Sequence, residues 1–331
     1  MSVVPLPDLH TESLVAAACA GDRRALSRLI SLVENDPAVR PAVLAKIYPL
    51  TGRARLLGVT GPPGVGKSTL VNRLVGSFRA GGQQVAVVAV DPTSPFSGGA
   101  ILGDRVRMQE RAVDPGVFIR SLATRGHLGG LSLATRDVVR VMDAAGFEII
   151  IVETVGTGQS EVDIMDLAHT VIVVSAPGAG DDIQAQKAGI LEIADVLVVN
   201  KADRDGADQL VAQLQMMLDL APSSSGADTW RPPIVRVVAS EGTGVDALMA
   251  AGADHAAWLA KGDRMAERLN RRAGRELFEL VAHMAANAAR IAAEADGQWM
   301  QLVADVAARR LDPYAAARTV LSFLSAGAVG R

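Results

Sequence analysis

One cysteine, Cys19, stands in 331 residues, which excludes an internal disulfide and any cysteine-held metal cluster. The five histidines are scattered, and no two lie four residues apart on a helical face. His127 and His169 read as local hydrogen-bonding or strand-end residues rather than ligands. Aromatic residues make up only 3% of the chain, so the stacking platforms that grip single-stranded nucleic acid are scarce. Charge of one sign is also missing. Thirty-three basic and 36 acidic side chains leave a formal charge of -3, with no long basic block, and nucleic acid is thereby disfavoured as a partner. No run of roughly 18 apolar residues occurs, so no membrane span is expected. The first residues carry Asp8 and Glu12, with no Lys or Arg before Leu14-Val15-Ala16-Ala17-Ala18, unlike a secretory signal. A cytoplasmic protein is the expectation.

What is present is a phosphate-binding pattern. Gly61-Pro62-Pro63-Gly64-Val65-Gly66-Lys67-Ser68 matches G-x-x-x-x-G-K-[ST]. Its glycines let backbone N–H groups turn inward around phosphate oxygens. The lysine reaches the β- and γ-phosphates, and the serine hydroxyl ligates Mg²⁺. The setting agrees. Arg55 to Thr60 reads as a buried strand, and Thr69 to Phe78 carries apolar residues at helical spacing, so a helix N-terminus faces the anion. Gly61, Pro62, Pro63, Gly64, Val65, Gly66, Lys67, Ser68 and Thr69 are the expected phosphate contacts.

Three regions separate by composition. Residues 1–50 form a helical extension, with helices over Thr11 to Glu34 and Pro37 to Tyr48. Residues 51–258 alternate β-rich runs with helical stretches, the signature of an α/β P-loop NTPase whose mostly parallel sheet is covered by helices on both faces. Strands are expected at Leu56–Thr60, Val85–Val90, Phe118–Arg120, Glu148–Val152, Thr170–Val174, Val196–Val199 and Ile234–Val238. Most are continuous Val/Ile/Leu runs, as strands buried on both faces should be. Residues 259–331 are Ala- and Arg-rich, with helices expected over Arg264 to Ala293, Glu294 to Arg309 and Pro313 to Leu324.

The base is read from Asn200-Lys201-Ala202-Asp203, directly after a strand. In N-K-x-D the aspartate accepts from guanine N1–H and the 2-amine. Adenine offers neither donor at that edge, and the carboxylate would be left unpaired. Asn200 braces the phosphate loop, and the Lys201 stem lies along the ring. After the next strand, Ala239 and Ser240 could offer backbone N–H groups to guanine O6, although the same residues suit a plain turn. On the metal side, Glu153-Thr154-Val155-Gly156 ends a strand where P-loop proteins keep an acidic residue near Mg²⁺, most small GTPases using Asp. Asp91 closes another strand, and Asp104 follows Gly103. Ser68 should ligate directly. Asp91, Asp104 and Glu153 are oxygen donors that residue type alone does not rank. Gln159 could orient the attacking water, and Arg107 or Lys187 could neutralise developing charge; each equally suits a surface hydrogen bond.

Together these segments resemble the MeaB/ArgK family of P-loop GTPases. To those already named are added Gly98-Gly99, Ile101 to Arg105, Arg125-Gly126-His127-Leu128-Gly129-Gly130, Thr157 to Glu161 and Gly180-Asp181-Asp182-Ile183-Gln184. The resemblance implies a dimerising SIMIBI-class GTPase (GTP/GDP and Mg²⁺ as cofactors) that acts as chaperone for an adenosylcobalamin-dependent acyl-CoA mutase, typically methylmalonyl-CoA mutase. It implies metal and switch contacts by Asp91, Asp104 and Glu153, and guanine recognition by Asn200, Lys201 and Asp203. A further switch around Asp181, Asp182 and Lys187 would address the mutase, and the C-terminal helices would form a dimerisation arm. Gln184-Ala185-Gln186-Lys187-Ala188 lacks the second lysine that relatives often carry. Other readings are a small-molecule kinase of the arginine/ornithine transport type and a nickel-insertion GTPase. The second expects Cys/His tracts that are absent here. A ParA/MinD-like ATPase is disfavoured by Asn200 to Asp203.

Overall fold

The structure is a computed structural model that describes residues 9–91, 113–123, 133–154, 163–178, 193–220 and 229–328. It divides into two compact units, Met1–Ala260 and Lys261–Arg331.

In the first unit, β1 (Arg55–Thr60), β2 (Val85–Asp91), β3 (Val117–Ala123), β4 (Ile149–Thr154), β5 (Thr170–Ser175), β6 (Val196–Asn200) and β7 (Ile234–Val237) form one sheet. Its order is β3-β2-β4-β1-β5-β6-β7, and every pairing is parallel. All seven expected strands are present, each within two residues at its N-terminal end and three at its C-terminal end. Parallel strands need crossovers, and the crossovers place helices on both faces. Alternation along each strand then makes two cores. Ala86, Val88 and Val90 of β2, with Ile150 and Val152 of β4, face one cluster; Val85, Val87, Ile149 and Ile151 face the other.

The first cluster is closed by α1 (Leu9–Cys19), α2 (Arg23–Asn35), α3 (Arg40–Ile47) and α5 (Leu133–Ala144). The single helix expected over 11–34 is two. Gly21 takes a φ of 91°, and Asp22 caps α2 by accepting the N–H groups of Arg24 and Ala25 at 2.8 and 3.0 Å. A capping aspartate restarts the helix at a new angle. Asp143 of α5 ties down the linker between α3 and β1, accepting from Gly52, Arg53 and Ala54 N–H. The opposite cluster is closed by α4 (Lys67–Ala80) and α7 (Val245–Leu259), while α6 (Ala207–Leu220) packs near β6 and β7. His169 accepts the Leu56 N–H on Nδ1 at 3.2 Å, a strand-entry role as expected.

The second unit holds α8 (Arg264–Ala295), α9 (Trp299–Ala307) and α10 (Pro313–Ala328). α9 starts later than the sequence suggests because Gly297, with a φ of 73°, breaks the chain after α8. The three helices border an open apolar groove of about 730 Å³ lined by Trp299, Leu302, Val306, Ala316 and Val320 among others. No helix among the described residues is long and apolar enough to cross a membrane.

Candidate functional site

The carboxyl ends of β1, β4, β6 and β7 lie on one edge of the parallel sheet, and the strand order reverses around β1. Open α/β sheets bind ligands there. From Thr60 the chain wraps through Gly61–Gly66 into α4. Gly61 has a φ of 137°, and a Cβ on it would stand 2.1 Å from the Val174 carbonyl oxygen of β5. Gly66 has a φ of 95°, and a Cβ there would stand 2.4 Å from Asn200 Nδ2. Both positions demand glycine through close approach as well as backbone angle.

Lys67 is buried, and its Nζ donates to the carbonyl oxygens of Gly61 and Pro62, both at 2.7 Å. The ammonium is thus held inside the curl of the loop. Ser68 Oγ donates to Glu153 Oε1 at 2.7 Å, both side chains being buried. They meet because β4 lies beside β1, with Val59 opposite Glu153 in register. A hydroxyl and a carboxylate side by side are hard oxygen donors, and they fit Mg²⁺ rather than a soft metal. Just beside them the Thr154 hydroxyl donates to that of Thr60 at 2.8 Å.

The base-side loop rests on the phosphate loop. Asn200 Nδ2 donates to the Val65 carbonyl at 2.8 Å, while its Oδ1 accepts the Ala239 N–H at 3.1 Å. Lys201 adopts a φ of 56°, a left-handed conformation that costs a non-glycine residue about 1–2 kcal/mol. Its Nζ donates to the Gly64 carbonyl at 2.7 Å. Asp203 follows, exposed. The amide pair anticipated at 239–240 divides: the Ala239 N–H is engaged by Asn200, whereas the Ser240 N–H has no acceptor among the described residues.

Asp91 ends β2, its backbone opposite Ala123; its carboxylate lies outside the described residues. So do Asp104, Arg107, Gln159, Asp181, Asp182 and Lys187. Sequence reasoning missed Arg73 of α4, which donates from Nε to the Ala239 carbonyl at 2.9 Å and from Nη2 to the Ser240 carbonyl. No motif marks it, since its partners lie 166 and 167 residues away.

Residues 26–294 match the family model described as methylmalonyl Co-A mutase-associated GTPase MeaB. The chain belongs to the MeaB family. A Pyrococcus horikoshii protein provisionally named a GTPase is 47% identical over 94% of this chain and 97% of its own. GTPase ArgK of Escherichia coli is 38% identical over 69% of this chain and 70% of its own. The methylmalonic aciduria type A homolog of Caenorhabditis elegans is 35% identical over 70% and 62% respectively. A crystal structure described as an LAO/AO transport system kinase superposes on 97% of this chain and 99% of that one, with a TM-score of 0.68 and 26% identity. This MeaB-family chain is a P-loop GTPase.

Proposed function

We propose that this GTPase gates adenosylcobalamin delivery to an acyl-CoA mutase, methylmalonyl-CoA mutase foremost, and protects or reactivates that client. The observation that carries the nucleotide part is the grip of Asn200 and Lys201 on the Val65 and Gly64 carbonyls, which couples base reading to phosphate binding. The client part is supported by the family's description as mutase-associated.

In this reading the phosphates of GTP lie in Gly61–Thr69. Lys67 exchanges its two carbonyl partners for β- and γ-phosphate oxygens, and Asp203 accepts the guanine N1–H and 2-amine. Ser68 and Glu153, joined by Asp91 and Asp104, would hold Mg²⁺. When bound, that ion neutralises charge on the β- and γ-phosphate oxygens. Gln159 orients a water for in-line attack on the γ-phosphorus, the bond to the β,γ-bridging oxygen breaks, and Lys187 offsets the charge left behind. Loss of the γ-phosphate releases the segments around Asp104 and Asp181-Asp182, and this is the signal passed to the mutase. The 259–331 arm pairs two copies.

Adding purified methylmalonyl-CoA or isobutyryl-CoA mutase should accelerate GTP hydrolysis, and one of them should co-purify with the chain. No acceleration together with no complex would remove the chaperone assignment. The transport-kinase description of the superposed structure favours a second reading, phosphoryl transfer to arginine or ornithine. γ-Labelled GTP decides it: label appears in the amino acid under that reading, and in inorganic phosphate under the first.

A further inference from the structure

A closed ring of hydrogen bonds joins the phosphate loop to the turn after β7. It runs from Val65 O to Asn200 Nδ2, from Asn200 Oδ1 to the Ala239 N–H, and from the Ala239 carbonyl to Arg73 Nε. Arg73 lies on α4, whose first residue, Lys67, follows the phosphate loop directly. The ring therefore closes through the covalent chain.

Peptide planarity gives the Arg73 contact its consequence. The carbonyl of Ala239 and the N–H of Ser240 belong to one trans peptide unit and point in opposite directions. Holding that carbonyl sets the direction of that N–H. The two flanking units are pinned as well. Asn200 takes the Ala239 N–H, while the Ser240 carbonyl accepts from Arg73 Nη2 and the Glu241 N–H donates to Val238 O at 3.0 Å. A methyl placed on Gly242 would come to 4.0 Å from the guanidinium, so Arg73 lies along the turn. Gly244 closes the turn where a Cβ would meet the Arg236 carbonyl at 2.0 Å. Every amide of the 239–241 segment is thus committed except the Ser240 N–H, for which the described residues supply no acceptor.

We propose that Arg73 is a positioning residue for guanine recognition: it holds the 239–240 peptide so that the Ser240 N–H meets guanine O6. The proposal rests on the guanine reading above and adds a division of labour. Asp203 reads positions 1 and 2 of the base, and the Arg73-braced turn reads position 6. Arginine suits the task because its rigid fork reaches two carbonyls at once, whereas lysine presents a single point charge.

The test compares GDP with two analogues on the full chain at pH 7. Inosine diphosphate lacks only the 2-amine, and 6-thio-GDP changes only the position-6 acceptor to a weaker one. Wild type should prefer GDP to both. Arg73→Ala should lower the preference over 6-thio-GDP by about tenfold, the scale of one hydrogen bond losing its alignment, while the preference over inosine diphosphate stays unchanged. Arg73→Lys should fall between the two and carries the test if the alanine variant does not fold.

A wild type indifferent to inosine diphosphate would overturn the guanine reading itself. A wild type that prefers GDP to inosine diphosphate but not to 6-thio-GDP would remove the O6 contact alone. Unchanged ratios in Arg73→Ala, or both ratios collapsing together, would overturn the positioning role of Arg73.

Discussion

At the residue scale, specificity depends on where single polar atoms are spent. Asn200 uses one N–H of its amide on the phosphate loop and its amide oxygen on the turn after β7, so it assembles the site with two of its polar valences and keeps a second amide N–H for a ligand. In the proposed reading Asp203, exposed two residues after Lys201, accepts the guanine N1–H and 2-amine. Asp203→Asn exchanges one of its two acceptors for a donor. It should weaken GTP binding by at least about tenfold, since a hydrogen bond to a charged group is worth about 1.5–3 kcal/mol, and should shift preference toward XTP. Titration of both nucleotides checks this, and unchanged GTP affinity would refute the assignment.

Among the elements, α2 shows how a local signal decides a helix boundary. The Ala25 N–H, and after it the Arg24 N–H, donate to Asp22 and hold its carboxyl below the usual carboxylate range. A depressed folded-state pKa means stability that is present above the unfolded pKa and lost as pH falls through the folded one. Asp22→Ala should therefore lower the Tm by a few degrees at neutral pH. The gap to wild type should narrow as pH drops below about 4, near the ordinary aspartate pKa. A Tm gap independent of pH across that range would exclude the capping carboxylate as its source. β4 makes the complementary point. Ile149, Ile150, Ile151 and Val152 are all buried, and this continuous run brings Glu153 to the carboxyl edge beside Ser68.

At the scale of the whole molecule, α8 carries more exposed large apolar side chains than any other element among the described residues; it is a helix of 32 residues, roughly 48 Å long at 1.5 Å per residue. Leu277, Val281, Met284 and Ile291 are exposed and recur at steps of four, three and seven, the spacing of a helix–helix seam. If this arm pairs two copies as proposed, the double substitution Val281→Glu with Met284→Glu should convert a dimer to a monomer in sedimentation. Intrinsic GTP binding should survive, because the substitutions lie outside the Met1–Ala260 unit. A monomeric wild type would remove the dimer proposal.

The sequence by itself determined the seven strands, the phosphate loop and the guanine motif. Each is local: a run of β-branched residues, or glycines and a lysine at set spacing, carries its meaning within a dozen residues. The break between α1 and α2 was local too, but Gly21 and Asp22 sit inside a helical periodicity that masked them. Only the tertiary structure decided that Ser68 meets Glu153, that Ala239 spends its N–H on Asn200, and that Arg73 braces the turn. Those contacts join residues separated by 85, 39 and 166 positions. Parallel strand order, which no single segment encodes, is what brings them within hydrogen-bonding distance.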